Sequence, residues 1–221
     1  MAKREYVSTS VIRRLPRYYR FLGDLIKNGF SRISSKELSQ RMGLTASQIR
    51  QDLNCFGGFG QQGYGYNVET LHGEIGTILG TDLAHPAILV GAGNIGRAIA
   101  MNIGFESMGF RLAGIFDKNP EIIGTQIHGI TVRDIDQIDS FCAEYSPEMA
   151  VLTVPREAAL AVVDQLIKLN VTGFWNFTHQ DLAVKYEGIV VENVHLGDSL
   201  MTLSYMIKNH PGKKETDKNK Q

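Results

Sequence analysis

Only two cysteines, six prolines and one tryptophan occur among 221 residues, and the formal charge sums to zero. Each scarcity excludes something. Cys55 and Cys142 make no disulfide framework, and neither has a ligand partner near it in sequence, so both read as buried structural residues rather than metal or redox groups. No apolar run approaches the ~18 residues that a membrane span needs. The opening MAKREYVSTS lacks the apolar stretch of a signal peptide. The expectation is a cytoplasmic protein with reduced thiols and no membrane partner. Fractions of 43% hydrophobic and 21% charged residues are those of an ordinary globular chain, and the length suits one large domain or, as expected here, two smaller ones.

What is present is unevenly distributed. Residues 1–56 carry 11 Lys/Arg against 4 Asp/Glu, a net +7, whereas residues 57–210 carry 8 against 17, a net −9. A basic module ahead of an acidic one points to a polyanion partner for the first and an unrelated task for the second.

The basic module contains ISSKELSQRMGLTASQIRQDLNCF. Ser34 with Glu37 fits a capping box, and Leu38 and Met42 lie one turn apart on a helix that stops at Gly43. Thr45 with Gln48 fits a second box. It opens a helix whose apolar residues Ile49, Leu53 and Phe56 leave Ser47, Gln48, Arg50 and Gln51 outward. Two short capped helices joined by Gly-Leu-Thr predict a helix-turn-helix, whose second helix needs donors and acceptors able to reach base edges. Upstream, VIRRLPRYYRFLGDLIKN places Pro16 in a first helical turn, with Tyr19, Leu22, Leu25 and Ile26 as the buried stripe. Arg13, Arg14, Arg17 and Arg20 are left for phosphates. Downstream, FGGFGQQGYGYNV sets five glycines among aromatics, the composition of a tight hairpin, hence a wing. The competing reading is a helical bundle with a glycine loop.

From Pro86 onward short apolar runs alternate with amphipathic stretches, which predicts a parallel sheet with helices on both faces. ILVGAGNIGRAIA, residues 88–100, reads in that frame as a dinucleotide cradle formed by Gly91, Ala92, Gly93, Asn94, Ile95 and Gly96. Gly91 permits the tight turn, Gly93 lets backbone approach a pyrophosphate, and Gly96 lets helix and strand pack closely. Asp117 closes the second strand about 20 residues later, where an acid meets the adenosine ribose, and a carboxylate there favours NAD(H) over NADP(H). Later strand ends supply Thr153, Val154, Pro155 and Asn176, either as nicotinamide contacts or as ordinary turns.

A hydride-transfer enzyme needs a proton donor and groups that orient its substrate. None of the six histidines stands in a recognisable catalytic arrangement, although His179 follows a strand end where such a role stays open. After GIVVENV only HLGDSLMTLSYMIKN and a polar tail remain, too little for a substrate domain. No catalytic residue and no metal site is assigned. That last helix is apolar around nearly its whole circumference, through Leu196, Leu200, Met201, Leu203, Tyr205, Met206 and Ile207. It calls for burial on several sides, which predicts a homodimer, with packing wholly within its own domain as the competing reading.

RLPRYYRFL, the helix-turn-helix run through GYGYNV, ILVGAGNIGRAIA, GIFD and TVP together resemble the Rex family of redox-sensing transcriptional repressors, over nearly the full chain. The resemblance implies an N-terminal winged helix over residues 1–80, a Rossmann domain over 81–194, and a dimerising helix with polar tail over 195–221, swapped into the partner subunit. It implies a homodimer on a pseudo-palindromic operator, released by NADH, with NADH and NAD+ bound as effectors and not consumed. It also makes Asp198 a switch residue. In the family a basic residue usually stands where this chain has Gln51, and often at the wing tip where it has Gln61 and Gln62. Arg50 is then the main cation of the recognition helix, which bears on how strongly, not whether, an operator is held. The competing functions are a small NAD-dependent oxidoreductase with a basic extension, and a CoA-binding module using the same phosphate loop.

Overall fold

The structure, a computed structural model of the chain, describes residues 7–57, 60–61 and 64–210. Its backbone divides into two compact units at Ala84/His85, with Ser107–Gly109 grouped with the first.

The first unit runs α1 (Thr9–Ile12), α2 (Leu15–Lys27), β1 (Arg32–Ile33), α3 (Ser35–Met42), α4 (Ala46–Asn54), β2 (Gly60–Gln61), β3 (Gly65–Asn67) and α5 (Val68–Leu79). Pro16 lies in the first turn of α2, where a missing N–H removes nothing. α3 has the full capping box: Ser34 Oγ accepts from the Glu37 amide at 3.1 Å, and the Glu37 carboxylate accepts from the Ser34 amide at 2.9 Å. Gly43, left-handed at φ 64°, ends the helix and turns the chain into α4. The three strands form a small antiparallel sheet in the order β1-β3-β2, the hairpin expected of a wing. Leu15, Tyr18, Leu22 and Leu25 of α2 pack with Leu38, Met42, Ile49 and Leu53 into this unit's core. Tyr19 and Ile26, expected in the buried stripe, only flank it. Tyr18 takes the inner place because its hydroxyl finds a partner there.

The second unit comprises β4 (His85–Val90), α6 (Asn94–Asn102), β5 (Phe110–Asp117), β6 (Gln126–Ile127), β7 (Ile130–Asp134), α7 (Ile138–Tyr145), β8 (Met149–Leu152), α8 (Arg156–Lys168), β9 (Gly173–Asn176), α9 (Leu182–Lys185), β10 (Val190–Asn193) and α10 (Leu196–Lys208). The seven-stranded sheet has the order β10-β9-β8-β4-β5-β7-β6, parallel except for the edge strand β6. This is the doubly wound Rossmann order, and the direction of winding reverses between β4 and β8. Side chains alternate across the sheet as a two-residue period requires. Ile88, Val90, Ala150 and Leu152 join the core that includes residues of α7 and α8, whereas Leu89 and Val151 join the one that includes residues of α6. Cys142 is buried in the first of these cores and its thiol is pushed up to about 11, chiefly by burial. Cys55 departs from expectation: it is exposed, because it falls past the inward face of α4 at the helix end, and its thiol donates to the Gln51 carbonyl at 3.3 Å.

α10 buries no residue. Leu200, Met201, Tyr205 and Met206 are each at least 60% exposed, so the packing of this helix within its own unit is not realised. No helix among the described residues is long and apolar enough to cross a membrane.

Candidate functional site

In the first unit the outward face of α4 is positioned by an inward one. Asp52 has a side chain only 1% exposed and receives four hydrogen bonds. Arg14 grips it bidentately, Nε to Oδ2 and Nη2 to Oδ1, both at 2.7 Å. Tyr18 donates its hydroxyl to Oδ2 at 2.9 Å, and Gln48 donates Nε2 to Oδ1 at 2.9 Å. Burial alone would raise this carboxyl's pKa. The hydrogen bonds from Arg14, Gln48 and Tyr18, with the charge of Arg14, outweigh burial and leave it below the ordinary aspartate value. The Tyr18 hydroxyl is driven upward, first by burial and then by its bond to Asp52.

On the outer side Ser47, Arg50 and Gln51 are exposed, and Arg50 Nη1 donates to Ser35 Oγ at 3.1 Å. Arg13, Arg17 and Arg20 are also exposed. Arg17 additionally donates to the Met42 carbonyl, tying α2 to the end of α3. Exposed cations and polar tips of this kind are the groups that meet phosphates and base edges of a duplex.

The second unit carries a cleft of ≈ 950 Å³ beyond the carboxyl ends of β4, β5 and β8, at the point where the winding reverses. Gly91 leaves β4 at φ 101°, and a Cβ there would lie 2.8 Å from the Thr153 carbonyl carbon and the Val154 nitrogen. A Cβ on Gly96 would lie 1.9 Å from the Gly91 carbonyl oxygen, so α6 packs against the loop as only glycine permits. Gly93 is the N-cap residue of α6 and no side chain caps it, so the positive end of the helix is left to a ligand. Thr153 braces the loop by donating to the Gly91 carbonyl at 2.6 Å. Asp117 ends β5 with Oδ2 accepting from the Ala92 amide at 2.6 Å and Oδ1 from the Asn119 amide at 2.8 Å. Val154, Pro155, Ile95 and Phe177 give the cleft apolar wall. Among the described residues no cluster of three or more His, Cys, Asp or Glu could hold a metal.

An uncapped helix terminus, glycines where a Cβ would clash, and an acid at the second strand end together fit an adenine dinucleotide. Residues 6–54 match the family described as "Putative DNA-binding protein N-terminus", and residues 82–180 match "CoA binding domain". The redox-sensing transcriptional repressor Rex of Clostridium acetobutylicum is 52% identical over 208 residues, covering 94% of this chain and 97% of that protein. Rex of Clostridioides difficile is 54% identical over 202 residues, covering 91% and 96%. The chain belongs to the Rex family. Two solved structures of the Rex-family repressor RSP agree with this assignment. One, in complex with beta-NAD+ and operator DNA, is 47% identical with a TM-score of 0.85, covering 98% of this chain and 100% of that one. The other, with beta-NADH, is 45% identical with a TM-score of 0.86, covering 96% and 99%.

Several site residues behave differently from the sequence-based expectation for a Rex protein. Arg14 is not left over for phosphate: its charge is matched by buried Asp52, and it anchors α4. Gln48 completes only half of a capping box. Thr45 Oγ1 accepts from the Gln48 amide at 3.1 Å, but the Gln48 side chain turns to Asp52 instead of returning to the cap. Asn176 does not line the cleft. It is wholly buried, with Nδ2 donating to the Gln180 carbonyl and Asn193 Oδ1 and Oδ1 accepting from Thr178, so it ties together the ends of β9 and β10. Ala92, Asn94 and Gly96 belong to the loop and first turn of α6 rather than to the cleft wall. Gln61 lies in β2, and Gln62 lies outside the described residues. Asp198 is exposed in the first turn of α10.

Sequence reasoning passed over Asp52, Lys118, Asn119 and Ile122, the last three of which line the cleft. It also missed the link between His179 and His195, whose Nδ1 atoms approach to 3.3 Å.

Two outcomes follow for purified protein. Gly96→Ala is expected to lower stability by about 1–3 kcal/mol, as overpacking does, and to abolish NADH binding in calorimetry. Wild-type heat of binding in this variant would show that α6 need not sit so close to the loop. Asp52 has a depressed folded pKa, so its stabilisation is present above the unfolded value of about 3.9 and is lost as pH falls through the lower, folded value. The urea midpoint should therefore drop with acid below about pH 4, and Asp52→Asn should lose the part of that drop due to this carboxyl.

Proposed function

We propose that the chain is a redox-sensing transcriptional repressor that binds operator DNA as a homodimer and is released by NADH. The observation that carries this reading is the pairing, in one chain, of a winged helix with a cationic outer face and a Rossmann cleft whose helix terminus is left open. In the family, the solved RSP complexes hold beta-NAD+ with operator DNA in one case and beta-NADH in the other. The chain is a regulator rather than an enzyme, and NADH and NAD+ are its effectors. The oxidoreductase alternative is not favoured.

The roles divide along the chain as residues 1–80 for DNA, 81–194 for the dinucleotide and 195–221 for dimerisation, in the cytoplasm where the operator lies. Gly91, Ala92, Gly93, Asn94, Ile95 and Gly96 present backbone and helix terminus to the pyrophosphate, and Asp117 holds the adenosine ribose. Thr153, Val154 and Pro155 face the nicotinamide. Arg13, Arg17, Ser47, Gln48, Arg50 and Gln51 face DNA, with Gln61 and Gln62 at the wing.

Bound dinucleotide presents either a neutral or a cationic ring; every phosphate and ribose contact is common to both forms. Shared contacts cannot move an equilibrium. The apolar wall of Val154, Pro155 and Phe177 discriminates instead, because an unpaired cation there costs several kcal/mol. Swinging a two-state dimer from 1:99 to 99:1 takes roughly 5.5 kcal/mol, within reach of two such sites. Neutral NADH lets the cleft close and alters the spacing of the paired recognition helices. α10 supplies the dimer, its apolar surface crossing into the partner subunit, with Asp198 at its start as the switch.

Two measurements test this. Operator affinity should fall as the NADH/NAD+ ratio rises at constant total dinucleotide; indifference to the ratio would remove the sensor. In sedimentation the wild-type chain should run as a dimer and Leu200→Lys with Met201→Lys as a monomer, whereas a monomeric wild type would leave α10 without its assigned partner.

A further inference from the structure

Gln48 lies in the first turn of α4, half-buried, one turn before Asp52 and beside the exposed Ser47 and Gln51. Its Nε2 donates to Asp52 Oδ1 at 2.9 Å. An ionised carboxylate only accepts, so it can bond the nitrogen of a carboxamide and never its oxygen. Asp52 therefore settles which end of the Gln48 amide faces inward. The carboxylate is itself immobile, because Arg14 holds both oxygens at 2.7 Å and Tyr18 holds Oδ2 at 2.9 Å. A second observation agrees. A glutamine three residues after a threonine cap ordinarily returns to the cap amide, and here the pull of Asp52 overrides that choice.

We propose that Asp52 determines base specificity through Gln48, holding its amide with Oε1 as the acceptor offered to the groove, so that Gln48 selects a base bearing an exocyclic amine. In the major groove adenine offers N6–H₂ and cytosine N4–H₂, whereas guanine O6 and thymine O4 are acceptors. A carbonyl oxygen facing either of the latter leaves two acceptors opposed and unpaired. A freely rotating glutamine could exchange its oxygen and nitrogen and suit either kind of edge equally; one tethered through Nε2 keeps Oε1 outward with at most its second N–H beside it, a pair that fits an amine-bearing base and opposes oxygen to oxygen at guanine O6 or thymine O4. Asp52, Arg14 and Tyr18 are thus positioning residues, acting through Gln48 without touching DNA. The inference rests on α4 being the recognition helix.

The experiment is quantitative binding of the full-length protein to an operator panel in which every base pair of a half-site is varied in turn. Wild type should prefer adenine or cytosine at the position Gln48 reads, by about tenfold or more, the usual size of a good base contact. Gln48→Met should erase preference at that position alone. Asp52→Asn, which can offer an amide N–H to Oε1, should shift the preference there toward guanine or thymine, with its fold checked by circular dichroism. An independent readout needs no variant: in wild type, NMR should detect coupling across the hydrogen bond from Gln48 Nε2 to the Asp52 carboxyl carbon. A folded Asp52→Asn with unchanged preference, a Gln48→Met profile identical to wild type, or absence of that coupling would each overturn the inference. A wild type with no sequence preference at any position would overturn the assignment of α4 as well, which separates the two failures.

Discussion

Polar groups withdrawn from water must be bonded, and both units are organised around that requirement. In the first, the buried carboxylate of Asp52 can stay ionised only because Arg14, Tyr18 and Gln48 converge on it. That single anion joins the start of α2 to α4, across 38 residues of sequence, and so fixes how α4 lies against α2. In the second, Asn176 performs the same service, with both ends of its amide engaged between β9 and β10. Among the described residues no buried side-chain nitrogen or oxygen lacks a partner. At the start of α6 no side chain caps the helix, and along α4 Ser47, Arg50 and Gln51 are exposed.

The same logic, inverted, applies to α10. A helix with large apolar side chains on every side cannot be satisfied by one sheet face, and its exposure here is a hydrophobic demand rather than a polar one. The dimer proposed above would cover this surface, and a large apolar interface is the kind that can hold two DNA-reading heads at a set spacing. The basic and acidic halves fit this division of labour, with net +7 in residues 1–56 and net −9 in residues 57–210.

Much of this was legible in the chain because it rests on local rules. Helix caps at Ser34 and Thr45, the stop at Gly43, and alternation along β4 and β8 are each written within a few residues. The glycine spacing of the cradle carried its own geometry, as the clashes expected of a Cβ at Gly91 and Gly96 bear out. The hairpin of β6 and β7 escaped notice, since its strands are short and its turn depends on left-handed His128 and Gly129, φ 51° and 76°. Long-range pairs were harder still. Nothing near Arg14 announces Asp52, so a cationic cluster reads as uniformly available for phosphate. A sharper signal was nevertheless present: Asp52 falls on the same helical face as Ile49 and next to Leu53, where an acid must be buried and paired. Asn176 shares a strand face with Phe174, which marks it as interior for the same reason.

The exceptions to residue-type expectation therefore share one physical form. Arg14, Gln48 and Asn176 each looked like a surface group by chemistry, and each is drawn inward by a partner the fold supplies at a distance of 2.7 to 2.9 Å. Of the three, only Arg14 takes a cation away from the outer side of the first unit, while Gln48 stays half-buried at that surface with its nitrogen tied to Asp52. Each remaining base contact then carries a larger share of sequence discrimination relative to phosphate attraction, since neutral tips contribute no counterion release. A repressor that must be dislodged by a metabolite has reason to be built this way. Affinity held mainly in a few oriented contacts is lost steeply when the heads move, whereas affinity held in diffuse charge would persist through the movement.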